Sequence, residues 1–172
     1  MADGERGKTG RARGGAESGE SHTSLWDRPG FLVRRLHQIH VAIFLEECAA
    51  DNITPVQYGL LSVLMEEGER DQATLAEEVG IDRTNVADVL ERLERRGLLI
   101  RVANPRDKRM RVAQLTDKGR AFVRKNRTAM QRAQDKMLAP LSEADRHRFR
   151  DLLRALVEAN NKLGRAPMRP RK

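Results

Sequence analysis

Three groups of residues have types and spacing that could do chemistry. The first is NPRDKRM, residues 104–110, where Pro105 and Asp107 share a short stretch with Arg106, Lys108 and Arg109. It lies between the apolar runs GLLIRVA and RVAQLT, so it reads as a stiff cationic tip between two strands, suited to an anionic partner. The second is IDRTN, where Arg83, Thr84 and Asn85 follow Asp82 and Asp88 lies one turn on. An arginine fits the acceptors of guanine and an asparagine fits adenine, while threonine bonds a phosphate or touches a thymine methyl. The third is RPGFLVRRLHQIH, in which Arg34, Arg35, His37 and His40 border an apolar stripe. An arginine on an apolar wall can clamp a carboxylate while the wall takes a ring.

Other chemistries lack their parts. There is no Ser-His-Asp set and no phosphate loop, so an enzyme is not expected. Two imidazoles three apart in HQIH invite a metal, but no nearby carboxylate or cysteine completes a ligand set. No metal or cofactor is therefore expected. The chain has one cysteine, Cys48, which excludes an intrachain disulfide and a cysteine zinc cluster. Cys48 falls near a helix end beside Glu46 and Glu47, whose charges oppose a thiolate, so a structural thiol is the better reading.

The charge balance points the same way as the cationic tip. Across 172 residues the formal net charge is +8, and 34% of residues are charged. Such a chain favours polyanions, chiefly nucleic acid or an anionic membrane surface. No apolar run approaches the roughly 18 residues of a membrane span. The first residues carry no apolar signal segment, so a cytoplasmic, nucleoid-associated protein is expected. Aromatics are only 3%, which with a Leu, Val, Ile and Ala core points to helices.

Helical elements must position these groups. FLVRRLHQIHVAIFLEECAA places Leu32, Leu36, Ile39 and Ile43 on one stripe. A second helix begins with Thr54 as cap and Pro55 as first residue and ends at Gly68. QATLAEEVG makes a short third, opened by Thr74 in the DNA-facing set. DRTNVADVLERLERRG makes the fourth, capped by Asp82, with Val86, Val89, Leu90 and Leu93 inward and Gly97 as its stop. LLIRV and MRVAQL then read as two strands. Helical spacing returns over 116–138, with Phe122, Ala129, Met130, Ala133 and Met137 inward. Pro140 breaks it. A last helix follows Ser142, which has capping-box spacing with Asp145 and a stripe of Phe149, Leu152, Leu153, Leu156, Val157 and Leu163.

The expected fold is mainly α with a small β-hairpin wing: a winged helix-turn-helix lobe over about 54–115 and a helical dimerisation lobe over about 28–50 and 116–163. Residues 1–24 are too polar to order alone, and residues 164–172 form a basic tail expected to fray. The long terminal helices need apolar partners that one thin chain lacks, so a homodimer is expected. In TLAEEVGIDRTNVADVLERLERRGLL, small Ala76, turn-forming Gly80 and plug-like Ile81 have helix-turn-helix logic. The second helix of that motif enters the major groove. Asp107 suits a neighbouring arginine better than a phosphate, fixing that arginine's direction. The wing's cations suit a narrow minor groove.

The run IDRTNVADVLERLERRGLLIRVANPRDKRMRVAQLTDKG resembles the winged helix of the MarR family of bacterial transcription regulators. The family's D-x-R-D-x-R wing appears here as NPRDKR, with Asn104 where aspartate is usual. The match is specific over residues 74–119 and looser over 28–163. It implies a homodimer on a pseudopalindromic operator in double-stranded DNA, usually a repressor, often released by a small ligand. The first helix is similar to that of members responding to aromatic acids, which implies Arg34 and His40 as ligand contacts, with His37 beside them. A tryptophan shuts the pocket in urate-responsive relatives, which makes Trp26 a candidate for that role, although a lone tryptophan more often anchors a chain end. Six residues turn an ideal helix by about 240°, so Arg34 and His40 share a ligand only if the pocket wraps the helix or a partner completes it. The alternative is that they bond neighbouring helices or touch phosphate. A non-specific architectural DNA binder, or a regulator with no small ligand, are the other functional alternatives.

Overall fold

The computed structural model describes residues 24–104 and 107–169, so the expectations for residues 1–23, Pro105 and Arg106 lie outside the described residues. A 3-10 turn at Leu25–Asp27, capped by Ser24, leads into α1 (Pro29–Glu47). Asn52, with φ of 43°, turns the chain toward α2 (Pro55–Glu67). There the Thr54 hydroxyl accepts from the Gln57 amide and the Gln57 side chain accepts from the Thr54 amide, each at 3.2 Å. This reciprocal box satisfies two otherwise orphan donors and sets the helix start where Thr54 and Pro55 predict it.

Next come β1 (Arg70–Asp71), α3 (Gln72–Val79), α4 (Arg83–Arg95), β2 (Leu99–Ala103) and β3 (Arg111–Leu115). The sheet order is β1-β3-β2, antiparallel throughout, with Leu99 opposite Leu115 and Arg70 opposite Ala113. The expected hairpin is therefore three-stranded. β1 is only two residues long and carries charges in sequence, so no alternation of apolar residues announces it. Gly97, at φ of 70°, provides the left-handed turn between α4 and β2.

The core gathers Phe44 from α1, Leu60, Leu61 and Leu64 from α2, Leu75 from α3, Val86, Leu90 and Leu93 from α4, and Leu98 and Leu99 at the sheet. All are buried, and they lock α4 against the sheet that carries the wing. α5 (Asp117–Leu138) starts at Thr116, whose hydroxyl accepts from the Gly119 amide at 3.0 Å and donates to the Gly97 carbonyl at 2.7 Å. Its buried residues are Gly119, Val123, Asn126, Ala129 and Ala133. Of the inward set expected from sequence, Ala129 and Ala133 are buried, while Phe122, Met130 and Met137 are only half-buried. Asn126 is also buried, and its amide donates to the Phe122 carbonyl at 3.0 Å, which offsets the cost of burying a polar group that apolar periodicity does not register.

α6 (Glu143–Asn160) buries none of its residues. Its stripe of Leu152, Leu153, Leu156 and Val157 is exposed, between 37% and 59%. At its start the Ser142 hydroxyl donates to the Asp145 carboxylate at 2.6 Å and accepts from the Asp145 amide. Of the tail expected to fray, the described residues 164–169 instead turn back onto α3, where the Arg169 amide donates to the Glu77 carbonyl at 2.9 Å. Among the described residues, no helix is long and apolar enough to cross a membrane.

Candidate DNA-reading and ligand surfaces

α3 and α4 form a helix-turn-helix whose two starts are both capped by aspartates. The Asp71 carboxylate accepts from the amides of Ala73 and Thr74 at 2.9 and 3.0 Å, and from the Thr74 hydroxyl at 2.6 Å. Partial burial pushes this carboxyl up, but the bonds from Thr74 and Ala73 outweigh it and leave the group below its ordinary value. Thr74, assigned to the DNA-facing set, thus spends its hydroxyl proton on Asp71 and keeps only acceptor capacity. Asp82 accepts from the Thr84 amide at 2.9 Å. Gly80, in the left-handed region at φ of 65°, makes the turn between the helices.

Arg83, Thr84, Asn85 and Asp88 all lie exposed on the first turns of α4, while Val86, Leu90 and Leu93 of the same helix are buried. The Arg83 guanidinium is 3.7 Å from Glu77, and its carbonyl accepts from the Gln72 side chain at 3.1 Å. One helix face is anchored and the other presents polar groups as the sequence spacing requires.

The wing is tied to α4 through a pair that the sequence did not single out. Glu94, in the last turn of α4, accepts from the Arg101 amide at 3.1 Å and from two of its guanidinium nitrogens, the nearer at 2.6 Å. The Arg101 bonds hold the Glu94 carboxyl below its ordinary value despite some desolvation. Arg111 then donates to the Arg101 carbonyl at 2.7 Å across the two strands. Gly97 ends the helix between Glu94 and Arg101, so their spacing carries no periodic meaning and only the folded chain shows the link. At the tip, Lys108 and Arg109 are exposed. Asp107 accepts from the Arg109 amide at 3.0 Å and from its guanidinium at 3.1 and 3.2 Å, the pairing expected of it.

The α1 group divides. Trp26 packs edge-on to Phe31, with ring centroids 5.1 Å apart, and the Arg34 guanidinium lies 5.2 Å from the same Phe31 ring. Trp26, Arg34 and His37 are exposed. His40 is half-buried, its ring 6.3 Å from Phe44, which in turn lies 6.3 Å from Tyr58. Burial, and then the nearby His37, pulls the His40 imidazole below its ordinary value. Arg34 and His40 therefore sit in different surroundings, as the turn of the helix dictates. Cys48 is buried, and burial followed by Asp51 and Glu47 pushes its thiol up, in line with a structural thiol. Among the described residues, no cluster of three or more His, Cys, Asp or Glu could hold a metal ion.

Comparison with known proteins decides what this arrangement belongs to. The sequence model of the MarR family matches residues 51–110. The solved structure of the PcaV transcriptional regulator from Streptomyces coelicolor, in complex with its natural ligand, is 37% identical, with a TM-score of 0.73 over 80% of this chain and 96% of that one. The chain belongs to the MarR family. This MarR-family protein is also 30% identical to Bordetella bronchiseptica BpsR, whose DNA binding is regulated by 6-hydroxynicotinic acid, with a TM-score of 0.75 over 78% of this chain and 96% of that one. The transcriptional repressor NicR of Pseudomonas putida is 25% identical over 138 residues, 80% of this chain and 87% of NicR. The protein is a winged-helix DNA-binding transcription regulator.

Proposed function

We propose that the protein is a homodimeric, cytoplasmic repressor, without enzymatic activity, that binds a pseudopalindromic operator and is released by a small aromatic carboxylate or its thioester. The observation that carries the DNA half is the polar exposed start of α4, with Arg83, Thr84, Asn85 and Asp88 presented by a helix locked to the wing through Glu94 and Arg101. In a dimer, the two α4 helices enter successive major grooves about 34 Å apart. Thr74 accepts at the backbone, and Lys108 and Arg109, the last aimed by Asp107, reach from the wing toward the minor groove, with Arg106 a further cation of the same run in sequence.

The ligand half rests on α1. Arg34 supplies a guanidinium for a carboxylate, Trp26 and Phe31 supply ring faces, and His37 and His40 supply imidazole donors. BpsR's regulation by an aromatic acid supports this choice of ligand class. Because Arg34 is exposed and His40 half-buried, the site either wraps α1 or is completed by the partner protomer. Release requires that the ligand prefer a lobe spacing that fits the operator poorly, since equal affinity for both spacings shifts nothing. The change would pass along the packed joint of α1 with α5, which the ion pairs of Glu47 with Arg132 at 2.9 Å and Glu46 with Lys136 at 2.9 Å span.

The test is a thermal-shift screen against benzoates, cinnamates, hydroxynicotinates and their coenzyme A thioesters, with Arg34→Ala beside wild type. A true ligand at about 100 times its Kd adds about 2.7 kcal/mol of stability, and Arg34→Ala abolishes that gain. A wild type that no compound stabilises would leave a regulator without this ligand class. Operator preference is checked separately by titrating promoter fragments against a mixed-sequence duplex, where a specific site binds at least about 10³-fold tighter. Equal affinities would leave only an architectural DNA binder.

A further inference from the structure

The sequence after α6 reads GRAPMR over residues 164–169, and it is held in place at three points. The Asn161 side chain clamps the backbone of Met168, accepting from its amide at 2.8 Å and donating to its carbonyl at 2.6 Å. The Arg169 amide donates to the Glu77 carbonyl of α3 at 2.9 Å. The Met168 side chain lies over Gly80, where an added Cβ would stand 2.6 Å from Cγ. A loose tail would make none of these bonds. Here a side chain from the end of α6, a carbonyl of α3 and the bare turn of the helix-turn-helix each receive one part of the segment.

The docked segment frames two open cavities at the reading surface. One, of about 560 Å³, lies between Arg165–Arg169 and Glu77, Asp82 and Arg83. The other, of about 410 Å³, lies between Arg165 and the pair Asp82 and Asn85. Both abut the first turn of α4, the part that carries the base-facing set. Arg165 and Arg169 are exposed, and among the described residues no carboxylate lies within ion-pair distance of either guanidinium. In a helix-turn-helix the first helix crosses the phosphate backbone and the second enters the groove. The turn between them, on which Met168 sits, is therefore next to phosphate. Two unpartnered guanidinium groups at that place match a polyanion in sign and position.

We propose that residues 164–169 form a docked C-terminal arm that delivers Arg165 and Arg169 to the phosphates flanking the major groove entered by α4. The arm rests on the reading of α4 as the DNA-recognition helix. It adds affinity without adding sequence information, because phosphate contacts position a protein and base contacts specify. Docking makes the contact effective: the clamp by Asn161 removes the disorder that a free tail would lose on binding. The arm also ties the end of the dimerisation helix to the reading head, so a change in α6 position reaches α3 and α4 directly.

The experiment titrates the full-length protein against a promoter duplex and a mixed-sequence duplex over a range of salt. Wild type is compared with Arg165→Ala/Arg169→Ala and with Asn161→Ala. Each arginine that reaches a phosphate contributes about 0.9 to the slope of log affinity against log salt. The double substitution removes two arginines from each protomer, four per dimer, so it is expected to flatten that slope by about 3.6 and to weaken both duplexes by the same factor. Asn161→Ala keeps both charges but frees the arm, and it weakens both duplexes by a smaller factor. An unchanged slope in the double variant overturns the proposal. So does tighter binding, which would mean that the arm covers the groove. An Asn161→Ala protein equal to wild type overturns the docked arm. If wild type shows no promoter preference, the specific-reader proposal fails by itself, and the mixed-sequence titration still decides the arm.

Discussion

Asp107 grips Arg109 through three hydrogen bonds: Oδ1 accepts from the backbone amide at 3.0 Å and from Nε at 3.1 Å, and Oδ2 accepts from Nη2 at 3.2 Å. The arginine side chain is 91% exposed, so this pair does little for the stability of the fold. What it does is directional. A long cation on a hairpin tip samples many rotamers, and ordering it at the DNA surface costs entropy that Asp107 removes beforehand.

Asp107→Ala should therefore leave thermal stability unchanged and weaken DNA binding a few-fold on every sequence, with faster dissociation. The pH dependence follows from the direction of the shift. The Arg109 side chain, then its amide, holds the Asp107 carboxyl below its ordinary value of 3.8. The ionised pair is thus fully present above the ordinary value and is lost only as pH falls through the lower folded value. Wild type should keep its wing contact from neutral to mildly acidic pH, and Asp107→Asn should lose part of it throughout. Fluorescence anisotropy with a labelled duplex measures both, and a variant that binds like wild type would sink the positioning role.

The exposed face of α6 makes a second prediction. Leu152, Leu156 and Val157 are each more than half exposed, a continuous apolar stripe on a helix that packs on little else in its own chain. Water is a poor neighbour for such a stripe, and a second copy is the partner proposed for it. Leu152→Asp/Leu156→Asp places two charges at the seam. The variant should sediment as a monomer with its α3–α4 lobe still folded, and it should lose operator binding by orders of magnitude. A dimer that survives would put the interface elsewhere.

His40 gives a pH signature for the fold near the proposed ligand site. Burial, then His37, lowers its folded value from the ordinary 6.5. The unfolded chain then binds the proton more readily, so stability falls as pH drops through 6.5 toward the folded value and levels off below it. His40→Gln, which cannot take the proton, should flatten that part of the profile in denaturant titrations across mildly acidic pH. If the slope persists unchanged in His40→Gln, His40 does not carry it.

Much of this architecture was legible because the punctuation of its elements is local. Thr54 with Pro55, Asp82 ahead of α4, and Gly97 after it each act within a few residues, so their meaning is visible in sequence. The buried stripe of α4 is likewise a local pattern, and it leaves Arg83, Thr84, Asn85 and Asp88 outside by geometry alone. What could not be read depends on distant partners. β1 exists only because Arg70 and Asp71 find β3. Arg101 matters because Glu94 ends α4 where β2 passes. The tail from Gly164 looks unstructured until Asn161 and Gly80 meet Met168. Arg34 and His40 show the same limit in reverse: a spacing borrowed from a resemblance names both residues, but the pitch of α1 separates their surroundings.

Gly119 is the sharpest case of a distant constraint, and it sets the last prediction. It sits in the first turn of α5, where sequence reading sees only a mild helix weakener. In the fold, a Cβ at this position would stand 1.9 Å from the Leu98 carbonyl oxygen and 2.9 Å from the carbonyl carbon. Both are backbone atoms at the joint between α4 and β2, where Leu98 is itself buried, so neither can swing aside as a side chain would. Only glycine lets α5 approach the wing this closely. Gly119→Ala would gain helix propensity and still lose stability, because the overlap must be relieved by moving a helix or the strand; overpacking of this kind costs about 1–3 kcal/mol. The expected result in urea unfolding is a lower midpoint with little change in slope. Since α5 joins the reading head to the dimerisation helices, operator affinity should fall by more than the affinity for a mixed-sequence duplex. A variant as stable as wild type would mean that α5 and β2 are farther apart in solution than this packing requires.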